Sequence, residues 1–181
     1  VSLPNSKTVY AVNGNTSFTL PVQILPGDTV TYRLTTSLAF SSFTNLNVTD
    51  YLPLPHFHAA EVTRFSPVVS STAPVAGTIC YAPGDTFHSI IGITPTVSHD
   101  AIANSFQLNY GDHNDPDNDV TTIDLLVTVS ATDEPMADRL FLTNQFEKSQ
   151  IDSGNNAITA NTLVQVQVLT PSVLGVRKGV V

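Results

Sequence analysis

TVTYRLT, residues 29–35, alternates polar and apolar side chains at every step: Val30, Tyr32 and Leu34 share one face, Thr29, Thr31, Arg33 and Thr35 the other. A period of two belongs to a strand with one face buried and one wet. The pattern returns over Val120 to Ala131, placing Ile123, Leu125, Val127 and Val129 inward and Thr122, Asp124, Leu126, Thr128 and Ser130 outward. It returns again over Thr162 to Val168, where Val164, Val166 and Val168 oppose two glutamines. Shorter candidates are Thr8 to Val12, Phe18 to Ile24, Asn45 to Leu52, Ala59 to Phe65, Phe87 to Ile93, Ser105 to Tyr110 and Leu140 to Phe146, about ten strands in all.

Twelve prolines and nine glycines break these runs at turn-like sites such as Leu25-Pro-Gly-Asp28, Ala82-Pro-Gly-Asp85 and Asp115-Pro-Asp117. Helix is left with two single turns, at residues 133–138 and 99–103. Many short strands between regular turns predict an all-β, antiparallel two-sheet sandwich. No shift of composition divides the chain, so residues 1–171 read as one domain.

The 181 residues are 41% hydrophobic, enough for a buried core, yet only 12% charged. Thr, Ser, Asn and Gln carry the polarity instead, the mix of extracellular β-proteins. A net charge of −8, with three lysines and four arginines, offers no electrostatic footprint for nucleic acid or anionic lipid. Cys80 is the only cysteine, which excludes an internal disulfide and a cysteine zinc framework and reads as a small buried hydrophobe. No apolar run has the length of a membrane span, and the absence of a signal peptide reads as a mature or excised piece.

The last ten residues pose a separate question, because "VRKGVV" (residues 176–181) begins a new apolar pattern after the stop at Pro171. Lys7-Thr-Val9 and Lys178-Gly-Val180 share a Lys-x-Val pattern, each a few residues after a proline. As a repeat, this gives a unit of about 170 residues, one folded domain per copy. Residues 172–181 then form a linker and the first strand of the next repeat, with Lys178 as its lysine, or a strand exchanged with a neighbouring subunit.

Lys7, Pro26-Gly-Asp-Thr-Val-Thr-Tyr32, Val48-Thr-Asp-Tyr-Leu-Pro53, Leu142-Thr-Asn144 and a closing proline before Lys-Gly-Val-Val occur in that order along nearly the whole chain. Together they resemble the tandem-repeat domain of large bacterial cell-surface proteins and the related isopeptide-forming fimbrial and adhesin domains of CnaA type. The stretch 56–104 matches nothing in that pattern, and Gln145-Phe-Glu-Lys148 replaces its aliphatic continuation. The resemblance implies an immunoglobulin-like sandwich that spaces or displays something on a cell surface, stabilised by an autocatalytic Lys–Asn isopeptide bond. Carried over by position, Lys7 and Asn144 are the cross-linked pair and Asp50 the promoting carboxyl. Burial favours neutral lysine, the nucleophilic form, and a protonated carboxyl that can polarise the amide. The plainer alternative makes Lys7 a solvated edge lysine, Asp50 a turn residue and Asn144 a cap of local backbone.

Gly111-Asp-His-Asn-Asp-Pro-Asp-Asn-Asp119 gathers four aspartates and two asparagines in nine residues. Asp112, Asp115, Asp117 and Asp119 are candidate Ca2+ ligands, the alternative being a solvated hairpin tip; no other cofactor is expected. His56 and His58 fall on one strand face but lack a third ligand and read as a surface pair. His88, His99 and His113 are scattered, and no nucleophile elbow or phosphate loop is present, so turnover of an external substrate is not expected. The expected function is therefore a structural module of an extracellular filament, fimbria or adhesin stalk, with adjacent copies or neighbouring subunits as partners. The alternative is an adhesin module that binds a glycan or protein through loops in 53–104, gathering Tyr51, Phe57, Phe65, Tyr81 or Phe87 around a groove.

Overall fold

The computed structural model describes residues 5–38, 42–65, 95–114, 122–134 and 136–170. In chain order they form β1 (Asn5–Val12), β2 (Gln23–Ile24), β3 (Thr29–Ser37), β4 (Phe43–Tyr51), β5 (Thr63–Phe65), β6 (Thr96–Asp100), β7 (Ser105–His113), β8 (Thr122–Ser130), β9 (Phe141–Ile151) and β10 (Ala157–Val168), with one 3-10 turn at Ala59–Glu61. Two sheets, β1-β3-β8-β5 and β2-β10-β9-β4-β7-β6, pack their apolar faces into one core. The protein is an all-β, immunoglobulin-like two-sheet sandwich.

The stretch that set the fold behaves as its period requires. Val30, Tyr32 and Leu34 of β3 are buried, Arg33 is exposed and reaches Asp124 across the β3–β8 pair, and Leu34 lies opposite Leu125. Two residues of β8 expected outward, Leu126 and Thr128, are buried instead. β8 is a central strand between β3 and β5, and its second face is covered as well: the Thr31 and Thr128 hydroxyls meet at 2.9 Å.

Other boundaries move for local reasons. Only Gln23–Ile24 of the stretch 18–24 is strand, with Phe18 and Leu20 exposed ahead of Pro21. β2 pairs with β10 in parallel through Gln167 and Val168, a short departure from the antiparallel scheme. The segment 59–65 opens as a 3-10 turn because buried Asn104 accepts from the Ala59 N–H while its amide donates to Leu52 and Phe57 carbonyls. His99 belongs to β6, and no helical turn forms there; Asp100 instead accepts from the Ile102 and Ala103 N–H groups. Nor do the described residues of 133–138 form a helix. The strand expected at 87–93 and Cys80 lie outside the described residues.

A buried lysine, carboxylate and amide

Each candidate cross-linking residue is carried inward by the parity of its strand. Lys7 on β1 faces Leu34, with Tyr32 one diagonal step away opposite Val9. Asp50 on β4 is paired with Phe146 of β9. Asn144 precedes Phe146 by two positions, so it shares the inner face and sits diagonal to Asp50. Lys7 is 4% exposed, and Asp50 and Asn144 are both 0% exposed. Solvated or capping roles at a surface are therefore closed to all three.

The Lys7 ammonium donates to Asp50 Oδ1 and lies 4.5 Å from the centroid of the Tyr32 ring. Asp50 Oδ2 and both amide atoms of Asn144 make no hydrogen bond of normal geometry among the described residues. Such orphaned buried atoms are rare and costly in a folded core. Loss of water pulls the Lys7 pKa down to about 8 even against the attraction of Asp50. The same loss of water raises Asp50, with Lys7 opposing. Both shifts move a proton balance toward amine and carboxylic acid, the forms needed for attack on an amide. Burial also raises the Tyr32 phenol, while the adjacent Asn144 amide pulls it back.

β9 carries a second lysine inward that sequence reasoning missed. Its inner face reads Leu142, Asn144, Phe146, Lys148 and Gln150. Lys148 is 1% exposed, donates to the Ser37 carbonyl at 3.1 Å, and has its pKa lowered by burial. Continuing the Leu142–Phe146 alternation by two residues would have found it. No carboxylate partners Lys148 among the described residues, which sets it apart from Lys7.

Of the acidic loop, Asp112 is described: it is exposed, on β7, and accepts from the Asn45 N–H at 2.9 Å. Asp115, Asp117, Asp119 and Lys178 lie outside the described residues. Asn45 takes a left-handed conformation (φ 53°) where the β4–β7 register shifts, which turns its N–H toward Asp112. His56 and His58 sit in a loop rather than on a strand, because Pro53 and Pro55 deny a ladder its N–H donors. No group of three His, Cys, Asp or Glu among the described residues is placed to hold a metal. Phe57, expected at a groove, is a core residue packed edge-on against Tyr32 at 6.5 Å. Tyr51 lines a shallow cavity of about 260 Å³ with Thr49, Asp100 and Gln107 on the outer face of the six-stranded sheet.

Fold and core together define a class: immunoglobulin-like sandwiches holding an amine, a carboxyl and an amide between their sheets. No protein-family model and no curated protein matches the sequence. Among solved structures, the chain is similar in fold to BcpA, the major pilin subunit of Bacillus cereus, at 11% identity and a TM-score of 0.57, over 91% of this chain and 40% of that one. It is also similar to a mutant of the C-terminal part of BspA, an AgI/II polypeptide of Streptococcus agalactiae, at 12% identity and a TM-score of 0.53, over 91% and 46%. The chain thus spans less than half the length of each of these two solved chains.

Proposed function

We propose that this chain is a structural module of an extracellular filament, fimbria or adhesin stalk, stiffened by an isopeptide bond between Lys7 and Asn144. One observation carries the reading: Lys7 and Asp50 are paired in the dry core beside an amide whose own polar atoms are unclaimed. Neutral Lys7 Nζ attacks Asn144 Cγ, the Cγ–Nδ2 bond breaks, and the displaced nitrogen leaves as ammonia with a proton relayed through Asp50. The event occurs once per molecule and turns over no external substrate. Likeness of fold to a pilin subunit supports the filament setting. Adjacent copies or neighbouring subunits are the proposed partners, with residues 172–181 as linker or exchanged strand. Intact mass tests the bond: the protein is lighter than its sequence by one ammonia, and an Asp50→Ala variant has full mass. Full mass for the native sequence would remove the bond while leaving the sandwich.

A second reading, a module that binds a glycan or protein, draws on the Tyr51 cavity. Tyr51→Ala leaves fold and cross-link intact and abolishes capture of glycans on an array; an array without any hit for the native protein dismisses this reading.

A further inference from the structure

The pole opposite the end of β10 carries a cavity that the lysine, carboxylate and amide do not use. Phe43, the first residue of β4, pairs with His113 at the end of β7, and Thr44 pairs with Ile151 at the end of β9. Beside them lies a cavity of about 360 Å³, apolar over most of its lining, with Phe43 in its wall and Asp112 and Asp152 at its sides. Backbone fixes both carboxylates. Asp112 accepts from the Asn45 N–H, and Asp152 accepts from the Asn156 and Gly154 N–H groups, which hold its pKa below the ordinary carboxylate value. An apolar hollow between two fixed negative charges suits an extended peptide that carries aliphatic and cationic side chains together.

The sequence holds such a peptide. Arg177-Lys178 is its only pair of adjacent cations, and Val176, Val180 and Val181 accompany it. That segment cannot reach the cavity of its own chain. The Thr170 N–H donates to Asp138 at the far pole, and β10 (Ala157–Val168) alone separates that pole from the cavity by about 36 Å. Lys178 lies eight residues beyond Thr170, a reach of at most ~28 Å for fully extended chain. Resting on the filament reading, we propose that the cavity receives residues 176–181 of another copy, with Asp112 and Asp152 facing Arg177 and Lys178 and the apolar lining facing the valines. The giving and receiving surfaces sit at opposite poles, so the contact is head-to-tail and repeats from copy to copy without closing. It gives the filament a polarity, each tail seated in the opposite pole of the next subunit.

The test places the photoreactive residue p-benzoylphenylalanine at exposed Ser153, which lines the cavity, in the full chain. Heavy-isotope and ordinary copies are mixed, irradiated and digested, with chelator present because Asp112 is also a candidate Ca2+ ligand. Mass spectrometry should find position 153 of one copy joined to residues 176–181 of the other, in mixed-isotope pairs. Arg177→Glu with Lys178→Glu should lower that yield roughly ten-fold or more, and adding Thr44→Arg at the exposed rim should restore much of it. Pairs confined to one copy, or a yield indifferent to charge reversal, would overturn the inference. Cross-links running to another part of the second copy would overturn it while leaving neighbouring copies as partners; no intermolecular product at all would count against both. Should Thr44→Arg not fold, the tail substitutions, which lie beyond the two sheets, decide alone.

Discussion

Asp50 and Lys7 stand where neither could be charged alone without large cost, so each is the condition for the other's burial. In an Asn144→Ala background, which cannot cross-link, Asp50→Ala leaves the Lys7 ammonium unpaired and should cost roughly 3–5 kcal/mol in urea unfolding. Replacing both, as Lys7→Met with Asp50→Leu, should recover most of that loss. A double variant as unstable as the single one would mean that the pair is not what the core accommodates. The pH dependence follows from the directions of shift. Folded Lys7, with its pKa near 8, releases its proton before the unfolded chain does at 10.5, so stability rises with pH across that window. Folded Asp50 holds its proton above the ordinary value of 3.8, so its contribution falls as pH rises through its own, higher pKa. The melting midpoint of Asn144→Ala should therefore climb from about pH 8 to about pH 10, and adding Lys7→Met should shrink the climb, Lys148 supplying the remainder. In the native sequence the proposed cross-link would make Lys7 an amide nitrogen that no longer titrates, so the Lys7 part of the climb should be absent.

At the scale of elements, the proposed bond would not relieve the whole body of tension. It would join β1 to β9 and bypass residues 8–143, yet the chain beyond Asn144 still runs up β9, through the turn and down β10. Asp152 holds that turn by accepting from the Gly154 and Asn156 N–H groups. Load would then fall on the β9–β10 ladder, whose register runs unbroken from Phe141↔Gln167 to Ile151↔Ala157. Under force the native protein should lengthen by no more than the segment after Asn144, at about 3.5 Å per residue, whereas Asp50→Ala should release the full domain. Equal lengthening would deny the bond a mechanical role. This same hairpin shows what could be read from sequence. Period two placed Val164, Val166 and Val168 inward, whereas Asn144 was assigned by the resemblance, and the structure puts it on the inner face with Leu142 and Phe146. Parity broke down where a strand is central, as with Leu126, or bulged, as with Tyr10 in β1. Lys148 and Gln150 escaped notice because polar letters hide an inward face, and the meeting of Lys7 with Asp50 depends on packing between the two sheets, which no local pattern encodes.

For the whole molecule, the described chain enters and leaves at opposite ends. Asn5 donates to the Ala160 carbonyl near the start of β10, and Thr170 follows the end of that strand. Some ten residues of extended chain separate them, roughly 30 Å. Spin labels at Ser6→Cys and Thr170→Cys, in a Cys80→Ser background, should report a distance of that order; ends found side by side would contradict a spacer that transmits tension. Calcium, proposed for Asp112, Asp115, Asp117 and Asp119, should raise the melting midpoint relative to chelator, and an unchanged midpoint removes it as a structural ion. The mechanics proposed for the module, however, hang on one proposed covalent link. Tandem mass spectrometry of a protease digest tests it most directly: the account predicts a branched peptide joining the Lys7 and Asn144 segments, one ammonia lighter than their sum, and recovery of those two segments only as separate peptides of full mass would contradict it.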